Sequence, residues 1–242
     1  PRVPRKEKLD GQNRIDIVAT LRAAAPFQTI RRMKLKAIRK VLIYPSDIHV
    51  KRYETRSERV MIFAVDASGS AAISRLSESK GAIELLLSQA YSRRDFVSLI
   101  SFRTTDAEIL LPPTRSLVQT KRRLSELPGG GGTPMAIGLK VAGEMAMLTA
   151  SQGKTPLIVL LTDGKANVTL DGKPDRAKAM EQCHQIGRWI ASSGLQSVVL
   201  DVGKWPNKAL AHIARDMQAA YYALPRADAK LISKTIGAEL ES

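Results

Sequence analysis

The sequence predicts an α/β fold: a doubly wound, mostly parallel six-stranded sheet flanked by helices, with one antiparallel edge strand. Three observations carry this. From Val60 onward, short runs of Val, Ile and Leu alternate with longer stretches that are apolar at helical spacing, the order that builds strand–helix–strand units. The apolar runs show no polar alternation, as expected of parallel strands buried on both faces. Two of them, 60–65 and 157–161, run straight into a carboxylate, Asp66 and Asp163, at the strand ends where open sheets gather ligands.

In chain order the expected strands are 60–65, 96–102, 108–111, 157–161, 197–202 and 220–223. The segment 108–111 follows 96–102 after a short polar turn, which makes it the antiparallel edge. Between the strands lie helices. Residues 76–91 carry Leu76, Ile83, Leu86, Leu87 and Ala90 on one face. Residues 134–149 start with Pro134 at the first helical position, and 174–193 stop at Gly194. Asn207 and Asp228 are expected to cap two further helices. No internal repeat is visible.

Residues 1–57 read as a basic segment and 58–242 as the α/β domain. The first 59 residues hold 16 Lys/Arg against 6 Asp/Glu, a large share of the net charge of +15. Residues 15–39 suggest a helix broken at Pro26, and 41–44 and 48–53 suggest short strands around Pro45-Ser46-Asp47, the second pairing with the main sheet. The start, Pro1-Arg2-Val3-Pro4-Arg5-Lys6, lacks an initiator Met and an apolar stretch behind its charges, and reads as a processed or truncated beginning. The basic segment shows neither helix-turn-helix nor zinc-finger pattern and no interleaved aromatics, so docking on an acidic surface is preferred to nucleic-acid binding. No apolar run approaches the length of a membrane span. The single cysteine, Cys183, excludes an internal disulfide and a cysteine metal cluster.

The chemistry concentrates in three places. Asp66-Ala67-Ser68-Gly69-Ser70 places a carboxylate and two hydroxyls at alternate positions on a tight turn. Gly129-Gly130-Gly131-Gly132-Thr133-Pro134 brings a third hydroxyl on a loop that can approach closely, and Thr162-Asp163-Gly164 brings a second carboxylate. Hard oxygen donors of this kind suit Mg²⁺, which keeps some water and leaves a position open. Two unpaired carboxylates so close would repel each other unless a cation sat between them. Asp66, Ser68, Ser70, Thr133 and Asp163 are therefore the candidate metal ligands.

Competing readings fail on particular residues. The glycine run has no Lys-Ser/Thr at the Walker A offset, and it is not a G-x-G-x-x-G turn after a strand. A phosphotransferase of the haloacid dehalogenase type needs a second Asp two positions after the first, where Ser68 stands. There is no G-x-S-x-G, and His49, His184 and His212 lie in unrelated contexts. No catalytic residue is assigned.

The pattern Asp66-x-Ser68-x-Ser70, then Thr133, then Asp163-Gly164 is similar to the metal-ion-dependent adhesion site of von Willebrand factor A, or integrin I, domains, and residues 58–240 cover such a domain. The strings RSERVMIFAVDASGS, LLLPPTRSLVQTKRRLSELPGGGGTP and LLTDGKAN, with residues 14–26, resemble the D subunits of magnesium chelatases. Ala71 stands where relatives often have Met, a position that ligates nothing. The resemblance implies that Ser68, Ser70 and Thr133 ligate Mg²⁺ directly, that Asp66 and Asp163 bind it directly or through water, and that an acidic residue from another subunit or domain fills the open position. It also implies an AAA+-like domain and an acidic, proline-rich linker before this chain. The implied partners are an AAA+ ATPase subunit and a large porphyrin-binding subunit in an oligomeric ring, with no nucleic acid and no membrane span. Mg²⁺ insertion into protoporphyrin IX would serve chlorophyll or bacteriochlorophyll synthesis, in bacterial cytoplasm or plastid stroma. The alternative is a scaffold of a cobalt-chelatase-like or other AAA+ complex.

Overall fold

A computed structural model describes residues 14–35, 41–50, 58–68, 80–127 and 129–224. The chain divides into two compact units, residues 1–56 and 57–242. In the larger unit the strands are β1 (Arg59–Asp66), β2 (Phe96–Arg103), β3 (Asp106–Thr114), β4 (Thr155–Thr162), β5 (Gln196–Asp201) and β6 (Ala220–Ala223). They form one sheet in the order β3-β2-β1-β4-β5-β6. Every neighbouring pair is parallel except β2 and β3. The chain winds outward in one direction through β1 and β2, then returns to place β4 on the other side of β1. The point of reversal therefore lies between β1 and β4, and in such sheets ligands gather there, at the carboxyl ends of the strands.

Both faces of the sheet are covered. On one side Val60, Ile62, Ala64, Ile158 and Leu160 pack with the buried faces of the helices Met135–Ser151 and Arg176–Ser192 and of the short helix Lys208–Asp216. On the other, Met61, Phe63, Val65, Val159 and Leu161 pack with Leu86, Leu87 and Ala90 of the helix Lys80–Ser92. The alternation along β1 sends successive side chains to opposite cores, which is why the strand is apolar throughout. Helix starts are fixed by side-chain oxygens: Asp175 accepts from Lys178 N at 3.0 Å and Ser116 from Gln119 N at 3.3 Å. Caps of this kind contribute about 1 kcal/mol each. Pro134 precedes the first helical residue, Met135, rather than occupying it. Asn207 caps as expected; Asp228 lies outside the described residues.

The helix Leu117–Ser125 was not foreseen. It is short and cationic, with Lys121, Arg122 and Arg123 in a row, and its stop is marked by an Arg122–Glu126 pair rather than by glycine. Strand β3 runs past Leu111 through Pro112 and Pro113. An edge strand tolerates prolines because one of its sides has no ladder to satisfy.

In the smaller unit the helix breaks at Pro26 as expected: Ile17–Ala24, a 3₁₀ turn Ala25–Phe27, then Gln28–Leu35. Among the described residues neither expected short strand is seen there. Residues 41–44 are irregular, and of 48–50 only Val50 bridges, to Ile15; residues 51–53 lie outside the described residues. The reason is local. The Gln28 side chain donates to Leu42 O at 2.8 Å and accepts from Leu42 N at 2.8 Å, satisfying the backbone groups a strand partner would take. Below it, Arg31 pairs through both terminal nitrogens with the buried Asp47 carboxylate, and its guanidinium stacks 4.1 Å from the Tyr44 ring centre.

Candidate metal centre

The end of β1 places Asp66 almost wholly buried. Its Oδ1 accepts from Ser68 N at 2.9 Å and from Ser68 Oγ at 2.6 Å, so the turn folds back on its own carboxylate. Its Oδ2 accepts from Thr162 Oγ1 at 2.7 Å, across the β1–β4 junction. Val65 pairs with Leu161 in that ladder, so the residues that follow, Asp66 and Thr162, face each other by register. Burial pushes the Asp66 carboxyl above its ordinary value. The hydrogen bonds from Ser68 and Thr162 act against this, and the nearby charge of Asp163 adds to it.

The glycine loop delivers Thr133 to the same spot. Its hydroxyl lies 2.6 Å from Ser68 Oγ. The loop is held by Asn167: Thr133 N donates to Asn167 Oδ1 at 2.7 Å, and Asn167 N returns a bond to Thr133 O at 3.2 Å. At Gly132 a Cβ would stand 2.8 Å from Thr104 O and 2.6 Å from the Val168 side chain, so any larger residue would push the loop away from Ser68.

Asp163 follows β4. Its Oδ1 accepts from Lys165 N at 3.2 Å, and Lys165 Nζ stands 3.3 Å from its Oδ2. The turn depends on Gly164, whose φ of 78° is left-handed and whose Cβ position is occupied by the Asn207 amide at 2.6 Å. That amide donates to Asp163 O at 2.9 Å while Asn207 Oδ1 caps the helix Lys208–Asp216. Asp66, Ser68 and Thr133 are thus linked by direct hydrogen bonds, and Asp163 stands near enough to raise Asp66 electrostatically. Ser70 lies outside the described residues. Four contributors escaped the sequence reading: Thr162, Lys165, Asn167 and Asn207. Of these, Thr162 sits beside Asp163 and Asn167 within the same LTDGKAN string, while Asn207 was read only as a cap.

The donors that converge are oxygens: two carboxylates and two hydroxyls. Among the described residues no three His, Cys, Asp or Glu side chains are grouped in a way that could hold a metal by themselves. The imidazole of His184 is engaged elsewhere, with Asp216 at 2.6 Å. Cys183 is buried in the core, where desolvation pushes its thiol up to about 12 and removes it as a nucleophile.

The sheet order, with its switch point between β1 and β4, and the helices on both faces define a von Willebrand factor type A fold in the larger unit. The family pattern, described as "von Willebrand factor type A domain", matches residues 61–165, and an "AAPxQ domain" pattern matches residues 3–53. Along its length the chain is similar to magnesium-chelatase 60 kDa subunits. It is 53% identical to that of Cereibacter sphaeroides over 99% of this chain and 43% of the relative. It is also 53% identical to that of Rhodobacter capsulatus over all of this chain and 44% of the relative. The chain spans less than half the length of these two proteins. An uncharacterized protein of Methanocaldococcus jannaschii is 32% identical over 54% of this chain and 73% of its own length. Among solved structures, the von Willebrand domain of the pilus tip protein Mfa5 from Porphyromonas gingivalis superposes with a TM-score of 0.60 at 13% identity, covering 77% of this chain and 97% of that one. The SpRpn10 domain does so with 0.53 at 14%, covering 69% and 88%. At such identities these structures speak for the fold alone. No helix among the described residues is long and apolar enough to cross a membrane.

Proposed function

We propose that this chain is the metal-dependent docking part of a magnesium chelatase D-type subunit, joining an AAA+ ATPase subunit to the porphyrin-binding subunit. The observation that carries the reading is the meeting of Asp66, Ser68 and Thr133 at the sheet's switch point, in a chain 53% identical from end to end to named magnesium-chelatase subunits.

The donor chemistry fits Mg²⁺. Oxygens on neighbouring vertices of an octahedron with bonds of about 2.1 Å stand about 3 Å apart, close to the 2.6 Å between the Ser68 and Thr133 hydroxyls. In this reading Ser68 and Thr133, with Ser70, hold the ion, and Asp66 and Asp163 neutralise it. When bound, the ion offers an electrophilic open position that takes a carboxylate from outside. The chain's own residues do the rest. Thr162 and Ser68 fix the Asp66 carboxylate, Asn167 anchors the Thr133 loop, and Asn207 holds the turn bearing Asp163. Ser68 stands where a phosphotransferase of the haloacid dehalogenase type carries its second Asp. In this reading the porphyrin chemistry belongs to another subunit, and the Mg²⁺ inserted there is substrate, distinct from the ion at this site. The setting is bacterial cytoplasm.

The test uses purified subunits. Capture of the ATPase and porphyrin-binding subunits by the intact D-type subunit should require Mg²⁺, fail in a chelator, and fail for Asp66→Ala and for Ser68→Ala/Ser70→Ala. Capture that survives chelator and both variants would sink the proposal.

A further inference from the structure

The two hydroxyls that meet at the site are mounted on the end of a single strand. Ala67 N donates to Phe102 O at 3.1 Å, which ties the turn bearing Ser68 to the last residues of β2. Two residues further on, Thr104 begins the turn into β3, and the glycine loop is seated against it. A Cβ built on Gly131 would have Thr104 Oγ1, Cα and Cβ as its three nearest atoms, at 2.6, 3.0 and 3.2 Å. One built on Gly132 would stand 2.8 Å from Thr104 O. Gly130 N closes the ring by donating to Ala67 O at 3.1 Å. The end of β2 thus bears on both halves of the Ser68–Thr133 pair, through Phe102 on one and through Thr104 on the other.

Thr104 is an unusual occupant of its position. Arg103 and Asp106 pair across the hairpin, leaving the two-residue turn Thr104-Thr105. Turns of that length put a left-handed residue first and ordinarily use Gly, Asn or Asp there. Thr104 has a φ of 58° and is β-branched, a combination that sterics oppose. Among the described residues, the other left-handed positions without glycine are Arg94 and Gln218. Both follow helix ends, where that conformation is routine. Core packing does not hold Thr104, since the residue is exposed. Its close neighbours are Gly131 and Gly132 of the loop that delivers Thr133. A strained residue kept in place against such a loop points to a role in where that loop sits.

We propose that Thr104 is a positioning residue of the metal centre: its left-handed backbone and side chain set where Gly131 and Gly132 lie, and so where the Thr133 hydroxyl meets Ser68. It acts through the loop and ligates nothing. Asn167 then fixes the next residue, Thr133, through its amide. This rests on the metal-centre reading above.

The test compares the whole chain with Thr104→Gly and Thr104→Ser. Amide hydrogen exchange without metal follows the loop, calorimetry follows Mg²⁺, and denaturant unfolding follows stability. Thr104→Gly relieves the turn, so it should unfold at no lower denaturant concentration than the wild type. Its Gly130 and Thr133 amides should nonetheless exchange about tenfold faster or more, with amides in the helix Arg176–Ser192 unchanged. Mg²⁺ should bind it about tenfold more weakly, the usual cost of losing a group that orients a ligand. Thr104→Ser, which keeps Oγ1's counterpart, should stay close to the wild type in both. A Thr104→Gly chain that keeps its exchange pattern and its Mg²⁺ affinity would overturn the proposal, as would losses that simply follow a drop in overall stability. If the wild type binds no Mg²⁺, the metal-centre reading fails; the exchange result then still decides whether Thr104 sets the position of Thr133.

Discussion

The Ser68 hydroxyl lies 2.6 Å from the Thr133 hydroxyl although 65 residues separate them in the chain. The contact exists because β1 ends in a turn that folds back on Asp66 and because Asn167 pins the glycine loop from the other side. The Ser68 end is held by a carboxylate of the site itself, the Thr133 end by Asn167, which lies outside the donor set.

Thr162 should be the most sensitive of these supports. Its hydroxyl donates to the buried Asp66 and accepts from Gly164 N at 3.1 Å, so it ties both carboxylate-bearing turns together. Thr162→Val keeps the shape but leaves Asp66 Oδ2 without this donor. We expect a loss of about 1–3 kcal/mol in denaturant unfolding, together with weaker Mg²⁺ binding.

Lys165 competes with any cation for Asp163, since its ammonium already stands 3.3 Å from the carboxylate. The pair is exposed on the lysine side and contributes about 0.2–1 kcal/mol. Lys165→Met should therefore tighten Mg²⁺ about two- to fivefold by calorimetry; unchanged or weaker binding would count against competition.

Asn207 separates capping from positioning. Asn207→Ser retains a capping oxygen for the helix Lys208–Asp216 but lacks the amide that reaches Asp163 O. Thermal stability should stay within a few tenths of a kcal/mol while Mg²⁺ affinity falls. A melt as depressed as that of Asn207→Ala would show that the cap was lost as well.

Asp95 gives a pH signature away from the site. It is 7% exposed and, among the described residues, its Oδ2 meets no hydrogen-bond donor. Burial raises its carboxyl above the ordinary value, with Arg59, Arg93 and Arg115 pulling the other way. A raised folded-state value means that the folded chain holds its proton to higher pH than the unfolded chain. The ionised group therefore weakens the fold at neutral pH, and the penalty is relieved as pH falls toward the ordinary carboxylate range. Asp95→Asn should be more stable than the wild type at pH 7, by up to about 1 kcal/mol, with the two melting curves converging near pH 4.

The sheet was legible because its evidence is local: apolar runs with turns between them name all six strands and even the antiparallel edge. The helix Leu117–Ser125 was hidden by its row of cations, and the irregular path at Leu42 by a glutamine that stands in for a strand neighbour. At the site, Asp66, Ser68 and Thr133 could be read from spacing and residue type. Thr162, Lys165 and Asn207 act through neighbours brought close by the pairing of β1 with β4 and by the loop after β5. Nothing in their own sequence context announces that role.

The most direct test of the central claim is Mg²⁺ titration calorimetry of the whole chain beside Asp66→Asn and Ser68→Ala/Thr133→Val, with circular dichroism to verify folding. One Mg²⁺ should bind per wild-type chain, and each variant should lose at least about tenfold in affinity, equivalent to about 1.4 kcal/mol. A wild type that binds no Mg²⁺, or folded variants that bind it equally well, would show that Asp66, Ser68 and Thr133 do not hold the ion.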